Sequence, residues 1–286
     1  MLSIGHTGSL FDYSNPVSGF TYGMETIIVD YDSEKLAEHF MHPPQDISLA
    51  DIDLDRIPRH ISCINGRWAT SRGLSRTEGH KQGIVALRDV ITTAVRLGVD
   101  VLSAYAFSTE NWGRPQHEVD VLMHLFAKTF IDELPLLKRE NVRVVFLGDL
   151  FALPKKTRDV FEFGLSECQD HTGMVLALAV NYGARAEIAR AARLLAEKVR
   201  TGELDPGSID EDAVARELYT GGLPDPELVI RTSGEMRVSN YLLWQIAYSE
   251  FYITETYWPD FDRWGMLRAI ASFQKRDRRF GGLSAK

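Results

Sequence analysis

Between residues 99 and 148 the chain reads Val99-Asp-Val-Leu-Ser-Ala-Tyr-Ala-Phe107, then a long segment of mixed character, then Val142-Arg-Val-Val-Phe-Leu-Gly148. The two apolar runs have the composition of strands that are buried on both faces of a sheet. Between them, apolar residues recur at the spacing of a helix, at Val121, Leu122, Leu125, Phe126 and Phe130. A strand, a helix and a further strand in this order indicate one unit of a parallel sheet that is covered by helices.

The same alternation continues in both directions from this unit. Six strands are predicted, at Ile61–Ile64, Val99–Phe107, Val142–Gly148, Met174–Asn181, Leu228–Thr232 and Phe251–Thr254. Seven helices are predicted, at Lys81–Leu97, His117–Glu140, Pro154–Gln169, Ala184–Arg200, Asp210–Tyr219, Ser239–Tyr248 and Phe261–Arg279. The sequence therefore predicts an α/β fold with a mainly parallel central sheet covered by helices, in a single domain over residues 56–286.

Length and composition limit the class of protein. The chain has 286 residues, of which 44% are hydrophobic and 25% are charged, with 11 Pro and 22 Gly. This is the balance of an ordinary globular protein, so disordered and fibrous classes are excluded. There is neither a run of about eighteen apolar residues nor a signal-peptide pattern, so we expect a cytoplasmic protein. Cys63 and Cys168 lack the spacing of metal ligands, which fits a reducing compartment.

The charge is concentrated at one end of the chain. The formal net charge is -8, and residues 25–55 hold nine acids against one base, Lys35. The residues before this segment are rich in Gly, Ser, Asn and Pro. We therefore expect residues 1–55 to form an acidic, partly ordered extension that buries little apolar surface and is dispensable for folding.

Three predicted strands are followed by polar loops, over residues 65–80, 108–114 and 231–240. In an open parallel sheet, ligands bind outside the carboxyl ends of the strands. Each loop contains Gly and Arg, and Arg accounts for 23 of the 32 basic residues. Arg suits the bidentate binding of phosphate oxygens, although an Arg-rich composition also arises from genome base content. No GxxxxGK[ST] or GxGxxG motif is present, so the common nucleotide-binding motifs are excluded.

Nine short motifs then occur in order along the chain. They are Asn65-Gly-Arg-Trp-Ala69, Gly79-His80, Tyr105-Ala-Phe-Ser-Thr-Glu-Asn-Trp112, Asn181-Tyr-Gly183, Pro224-Asp-Pro226, Ile230-Arg-Thr-Ser-Gly-Glu235, Ser239-Asn-Tyr-Leu-Leu-Trp-Gln245, Trp258-Pro-Asp260 and Arg278-Arg-Phe-Gly281. In this order the chain closely resembles the cis-prenyltransferases, the isoprenyl transferases typified by undecaprenyl diphosphate synthase. The resemblance covers residues 57–282.

The resemblance implies a reaction. Isopentenyl diphosphate would condense with an allylic diphosphate, with Mg2+ as cofactor, to give a cis-polyprenyl diphosphate lipid carrier for bacterial-type cell-wall synthesis. Ionisation of the allylic substrate requires stabilisation of the departing pyrophosphate, which a metal ion and fixed donors supply as the charge develops. The resemblance also implies a homodimer, since the Arg278-Arg-Phe-Gly281 segment is similar to the dimer-contact tail of the family, and delivery of the product to the membrane surface.

The resemblance assigns roles at the matching positions. The allylic diphosphate would be held by Gly66, Arg67, Arg76 and His80, and the neighbouring Asn65 and Trp68 would also bind substrate. The diphosphate of isopentenyl diphosphate would be held by Arg231, Arg237 and Ser239, and Val238 beside them would also bind substrate. Between the two would lie Ser108, Thr109, Glu110, Trp112 and Arg114. Asn111 would be the catalytic proton acceptor and Glu250 the Mg2+ ligand. Because an uncharged amide is a weak base, we expect Asn111 to act with a water molecule or with the pyrophosphate of the substrate.

One part of the family motif is absent. The family has Met-Asp-Gly between the strand and Asn-Gly-Arg-Trp, whereas here Ile64 is followed directly by Asn65. Three alternatives follow: the chain is catalytically impaired, a neighbour such as Glu110 partly replaces the lost aspartate, or the three residues were removed artificially. The rival to an active enzyme is a non-catalytic paralogue that binds diphosphates or pairs with an active subunit. A nucleic-acid binder is a third reading, disfavoured by the acidic extension.

Several of these residues also have simpler interpretations. His80 can also be interpreted as a helix cap or a core residue. Trp68 and Trp112 can also be interpreted as core aromatics. Glu235 would orient Arg231 or Arg237 by an ion pair, which is the role we favour. The apolar stripe of residues 117–140 is ordinary core or the wall of a product channel. For the channel, the predicted lining residues are Ala106, Leu122, Leu125, Phe126 and Phe130.

Overall fold

The computed structural model describes residues 33–64 and 76–276. All six predicted strands are present, β1 at His60–Ile64, β2 at Val101–Ser108, β3 at Arg143–Leu147, β4 at Val175–Tyr182, β5 at Leu228–Arg231 and β6 at Glu250–Ile253. They form one sheet in the order β3-β4-β2-β1-β5-β6, and every neighbouring pair is parallel. The prediction of an α/β fold with a parallel central sheet is confirmed.

Seven α-helices accompany the sheet in the described part of the chain. They are α1 at Ser33–His39, α2 at Arg76–Arg96, α3 at Gln116–Arg139, α4 at Lys155–Cys168, α5 at Ala184–Arg200, α6 at Glu211–Glu217 and α7 at Arg263–Gln274. Six of the seven predicted helices correspond to α2 to α7. Helix α2 begins five residues earlier than predicted. Helix α7 ends at Gln274, and the predicted helical residues 277–279 lie outside the described part of the chain.

The predicted helix over Ser239–Tyr248 is wrong. This segment forms turns, and Ser239, Asn240 and Leu242 have left-handed backbone φ angles of 53°, 58° and 46°. Its apolar spacing has another origin, since Tyr241, Leu242 and Gln245 are buried beneath the turns. The buried residues of these turns are spaced i, i+1 and i+4, which resembles one face of a helix.

The strands alternate their side chains between two apolar layers. On β2, Leu102 and Phe107 pack into the larger layer, with helices α2, α3, α4 and α7, whereas Val101 packs into the smaller one. The smaller layer also contains Tyr182 from β4 and Tyr241 from the turns after β5. Strands covered on both faces explain why the sequence shows near-continuous apolar runs.

The described part of the acidic segment belongs to the core. Leu36, Phe40, Ile47 and Ile52 are 5%, 6%, 7% and 8% exposed and join the larger apolar layer. Polar contacts attach the same segment to α7, where Arg268 Nε donates to Asp46 Oδ2 at 2.7 Å. The division of the chain at residue 55 stays a prediction, but the expectation that this segment buries little apolar surface is wrong for residues 36–52. Apolar residues among the acids are too sparse to form a sustained pattern, yet each of these four meets the core.

Parallel strands bring the predicted loops together. Ile64, at the end of β1, is in register with Tyr105 on β2 and with Arg231 at the end of β5. The loops that follow β2 and β5 therefore leave the same edge of the sheet on either side of β1. Among the described residues, no helix has the length and apolarity needed to cross a membrane. Cys63 and Cys168 are both buried and free.

Candidate active site

A cavity of about 1110 Å³ opens at this edge of the sheet and extends between the sheet and its helices. Its polar part is lined by residues of the loops after β2 and β5: Ser108, Glu110, Asn111, Arg114, Arg231, Glu235, Arg237, Ser239 and Asn240. Its apolar part is lined by α2, α3, α4 and the strands, and includes all five predicted channel residues, Ala106, Leu122, Leu125, Phe126 and Phe130. One cavity thus joins a charged region to a long apolar region.

The loop after β5 holds two guanidinium groups through one carboxylate. Glu235 pairs with Arg231, whose side chain is 4% exposed, and its other oxygen lies 2.6 Å from Arg237 Nη2, on a side chain that is 59% exposed. Arg231 Nη2 also lies 3.5 Å from Ser239 Oγ. Because Glu235 fixes both cations at the cavity, the geometry agrees with the orienting role expected for it.

The loop after β2 is fixed by its own side chains. Ser108 N donates to Asn111 Oδ1 at 3.1 Å, and the two residues form a reciprocal capping box at the start of a short 3-10 turn over Thr109–Gly113. The Asn111 amide therefore faces the cavity with its oxygen already accepting one hydrogen bond. This is consistent with the weak basicity expected of Asn111 and favours a proton acceptor outside the side chain.

Glu110 is the ionised group of this loop. Burial alone raises the pKa of its carboxyl, but hydrogen bonds from Asn240, from its own backbone and from the Ser108 and Thr109 side chains together lower the pKa below its ordinary value. Asn240 Nδ2 donates to Glu110 Oε1 at 2.8 Å. The carboxylate is thus held in place at the cavity by the loop after β5.

Of the remaining predicted site residues, Arg114 lines the cavity, whereas Trp112, Thr109 and Val238 do not. Trp112 Nε1 donates to Asn181 Oδ1 at 2.7 Å, and the ring packs edge to face on Phe107 at 5.3 Å. Thr109 lies against Gly183, where an added Cβ would come within 2.5 Å of Thr109 Oγ1. Arg114 lines the cavity and pairs with Glu118 at 2.9 Å. Val238 is partly buried and does not contribute to the lining.

The predicted Mg2+ ligand is engaged elsewhere. Glu250, at the start of β6, does not line the cavity, and its Oε2 lies 2.6 Å from Arg276 Nη1. The described residues contain no group of three His, Cys, Asp or Glu side chains placed to hold a metal ion. The carboxylate of Glu235 is shared between two arginines. By themselves, therefore, the described residues do not fit a Mg2+ ion.

Part of the predicted site lies outside the residues that the structure describes. Asn65, Gly66, Arg67 and Trp68 lie outside the described residues, as does the Arg278-Arg-Phe-Gly281 segment. Arg76 and His80 belong to the first turns of α2, where Gly79 lines the cavity. Their assignment to the allylic diphosphate stays a prediction, and so do the roles of all the residues above.

Sequence reasoning gave no role to three residues that line the cavity. Asn240 stands inside the quoted motif after Ser239, Gly83 follows the Gly79-His80 motif, and both line the cavity. Gly83 also accepts, through its carbonyl, a hydrogen bond from Trp258 Nε1 at 2.9 Å. The third, Glu133, pairs with Arg88 across α2 and α3. Only Asn240 had a signal in the sequence, as a polar residue beside a predicted ligand.

Comparison of the chain with known proteins agrees with this geometry. Residues 64–281 match the prenyltransferase family model described as undecaprenyl diphosphate synthase. An isoprenyl transferase from Streptococcus thermophilus is 50% identical over 237 residues, which cover 80% of this chain and 95% of the relative. An isoprenyl transferase from Geobacillus kaustophilus is 48% identical over 233 residues, which cover 80% of this chain and 91% of the relative.

Solved structures give the same result. Lavandulyl diphosphate synthase from Lavandula x intermedia, in complex with dimethylallyl diphosphate, superposes with a TM-score of 0.77 at 36% identity, covering 79% of this chain and 99% of the plant enzyme. A probable undecaprenyl diphosphate synthase from Campylobacter jejuni superposes with a TM-score of 0.67 at 30% identity, covering 78% of this chain and 98% of that protein.

The match to the family model and to relatives named isoprenyl transferase, together with the charged and apolar cavity at the edge of the parallel sheet, defines an enzyme that transfers prenyl groups. The resemblance seen in the nine motifs is thereby confirmed. The chain belongs to the cis-prenyltransferase family, whose family model is that of undecaprenyl diphosphate synthase. None of the relatives supports the alternative of an impaired or non-catalytic chain, since both curated relatives described above are isoprenyl transferases.

Proposed function

We propose that this chain condenses isopentenyl diphosphate with an allylic diphosphate to give a cis-polyprenyl diphosphate. The observation that carries the proposal is one cavity of about 1110 Å³, with guanidinium groups in one part and mostly apolar side chains in the other. A diphosphate suits the first region because Arg binds phosphate oxygens in pairs, and a growing hydrocarbon suits the second. The names of the relatives, isoprenyl transferase and lavandulyl diphosphate synthase, support the same class of reaction.

In this proposal Arg231, Arg237 and Ser239 hold the diphosphate of isopentenyl diphosphate. Glu235 keeps both guanidinium groups aimed at the cavity before substrate arrives, so less entropy is lost on binding. A water molecule or the departing pyrophosphate takes the proton, because an uncharged amide is a weak base. Asn111, whose Oδ1 accepts from Ser108 N, orients that proton acceptor. The allylic diphosphate binds at the side of β1, near Arg76 and His80.

Mg2+ is part of the proposal on the strength of the family resemblance, since the described residues alone do not fit it. In proteins Mg2+ is commonly bound by one or two carboxylates together with substrate phosphates, so it would enter with the diphosphates. Removal of Mg2+ with EDTA should abolish condensation, and addition of excess Mg2+ should restore it. Equal rates with and without EDTA would exclude the metal.

The direct experiment uses the full chain, purified and free of other prenyltransferases. Labelled isopentenyl diphosphate is supplied with dimethylallyl, geranyl or farnesyl diphosphate, and label in the lipid extract is measured. We expect label in the extract only when an allylic diphosphate is present. Tight binding of both diphosphates without any extracted label would instead favour a binding paralogue.

We further propose a cytoplasmic homodimer that releases its product to the membrane surface. An exposed apolar region supports the dimer: Leu243, Tyr248 and Ile253 are 36%, 74% and 39% exposed at or just before β6, which is an edge strand. Exposed apolar side chains along an open sheet edge are commonly covered by a partner. Light scattering of the full chain, compared with an Ile253→Lys variant, tests the assembly.

A further inference from the structure

One side chain joins three separate segments at the polar end of the cavity. Asn240 follows Ser239 in the loop after β5, and its Nδ2 donates to Glu110 Oε1, in the loop after β2, at 2.8 Å. Its Oδ1 accepts from Arg185 N at 3.0 Å, and its backbone oxygen accepts from Ala184 N at 2.9 Å. All three bonds span more than fifty residues of sequence.

The two bonds to α5 anchor the contact to the sheet. Ala184 and Arg185 are the first residues of α5, whose initial N–H groups have no partner within the helix. No side chain of the helix's own N-terminus caps it, since the preceding residue is Gly183. Asn240 therefore caps α5 from across the site, and α5 in turn continues directly from β4.

The local backbone is shaped around this side chain. Asn240 has a φ of 58°, a left-handed conformation that Asn adopts more readily than most residues. Gly183 leaves room for the contact, because a Cβ there would lie 2.9 Å from Asn240 Nδ2 and 2.5 Å from Thr109 Oγ1. The next residue, Tyr241, stacks on Tyr105 of β2 at 4.3 Å. Asn240 is thus held between the loop after β2 and the start of α5.

We propose that Asn240 is a positioning residue that sets the distance between the two halves of the site. Glu110 and Asn111 lie on one side of it, and Arg237 and Ser239 lie on the other. This inference rests on the proposed function, in which two substrates must be aligned for a carbon–carbon bond to form. Misplacement of aligned reactants by about 1 Å costs about a hundredfold in rate, whereas each substrate still meets its own ligands.

The decisive variant is Asn240→Gly, because Gly tolerates the left-handed backbone and removes only the side chain. We expect kcat to fall by about tenfold to a hundredfold, with the KM of each diphosphate within about threefold of the unaltered chain. The matched control is Asn141→Gly. Asn141 also has a left-handed φ, of 53°, and makes two side-chain bonds, both at 3.1 Å, to Thr172, away from the cavity.

Each outcome separates the positioning role from a structural one. A fall in kcat in Asn240→Gly alone, with melting temperatures of the two variants that agree within a few degrees, supports the inference. A kcat within twofold of the unaltered chain overturns it, and so does a rise of both KM values with unchanged kcat. If the unaltered chain condenses no substrate, the proposed function fails, and the positioning role fails with it; if the chain is active, only the role of Asn240 is at stake.

Discussion

At the scale of single residues, Arg237 is the cation best placed for a substrate. Its side chain is 59% exposed, and its partner Glu235 is shared with buried Arg231. In Arg237→Ala, Glu235 keeps its bond to Arg231, so folding should be preserved while a charge-assisted contact to phosphate is lost. Such contacts contribute about 1.5–3 kcal/mol, which corresponds to a rise of about ten- to a hundredfold in the KM for isopentenyl diphosphate.

The matched control is Arg200→Ala, which breaks a similar exposed ion pair, to Glu197, far from the cavity. Initial rates are measured at varied isopentenyl diphosphate with the allylic substrate saturating, and then with the two exchanged. Arg237→Ala should leave the KM of the allylic substrate unchanged. An equal loss for both substrates would show that Arg237 does not distinguish them.

The junction between Ile64 and Asn65 carries a second prediction. The family resemblance implies a carboxylate at this junction, where it would help a metal ion to stabilise the departing diphosphate. If the missing aspartate limits the rate, insertion of Met-Asp-Gly should lower the activation free energy of Mg2+-dependent condensation by several kcal/mol. The rate should then rise by about a hundredfold or more. Insertion of Met-Ala-Gly restores the loop length alone and should raise it little.

The two insertions separate charge from geometry. Label in the lipid extract is measured for the unaltered chain, for both insertion variants and for an Asn111→Ala control. If the unaltered chain already condenses substrate as fast as the chain with the inserted Met-Asp-Gly, this carboxylate is not needed. Two inactive insertions that still bind both diphosphates would favour the non-catalytic paralogue.

The cavity residues show how far sequence reasoning reaches at this scale. Arg231, Arg237 and Ser239 were predictable because each stands in a motif after a strand, and parallel strands end at one edge. The contact from Asn240 to Glu110 was not, because the two residues are 130 positions apart and nothing local records which partner an amide finds. Glu250 shows the converse, since the family resemblance assigned it a metal and did not reveal its ion pair with Arg276.

At the scale of elements, α3 and α4 pack together beside the apolar part of the cavity. Phe130 of α3 packs edge to face on Phe146 at 5.3 Å and on Phe161 at 5.7 Å, and all three rings line the apolar part of the cavity. Gly164 of α4 makes this possible, because a Cβ there would lie 2.8 Å from Phe130 Cζ. The glycine therefore leaves room for the Phe130 ring against α4.

Gly164→Ala should displace the Phe130 ring into the cavity and shorten the longest prenyl product by at least one unit. Overpacking of this kind costs about 1–3 kcal/mol of stability. Phe130→Ala enlarges the same region and should lengthen the product. Ser166→Ala, on the exposed side of α4, is the control, and product lengths are compared by chromatography of the dephosphorylated lipids. Identical product lengths in all four chains would show that these rings do not limit growth.

Helix α1 provides a prediction about stability. Phe40, just after α1, is 6% exposed and packs on Trp264 of α7 at 5.5 Å. Phe40→Ala should lower the free energy of unfolding by about 3–5 kcal/mol, whereas Met41→Ala, at a side chain that is 59% exposed, should change it by less than about 0.5 kcal/mol. Urea unfolding of both variants measures the difference. Equal curves would show that this segment does not support the core.

The elements themselves were largely readable. Buried parallel strands produce unbroken apolar runs, so all six strands were found, and long amphipathic helices such as α3 and α5 were found as well. The failures have one cause. Over Ser239–Tyr248 and over residues 36–52, apolar side chains are buried by tertiary packing of turns and of short helical segments, and such burial leaves no reliable period in the sequence.

At the scale of the whole molecule, one buried acid links the chain's stability to pH. Glu187, near the start of α5, is 1% exposed. It accepts hydrogen bonds from Tyr182 Oη, from Tyr219 N at 2.7 Å and from Gln245 Nε2 at 3.2 Å. Burial raises its pKa above the ordinary value, although these three donors and nearby Arg190 oppose the shift. The cluster joins β4, α5 and the turns after α6 and β5.

The sign of the pH dependence follows from that shift. A carboxyl whose pKa is higher in the folded than in the unfolded chain binds its proton more tightly when folded, so its stabilising contribution is complete below the unfolded pKa and is lost as pH rises through the folded one. Glu187→Gln removes the ionisation, and the new amide can donate to Gln245 Oε1, which has no partner among the described residues. The free energy of unfolding of the variant, minus that of the unaltered chain, should therefore increase from about pH 5 to about pH 8. Urea unfolding at both pH values measures it, with Glu197→Gln, at an exposed site on α5, as the control. A difference that stays constant or decreases over this range would mean that Glu187 is ionised in the folded chain throughout, and that its three donors outweigh its burial.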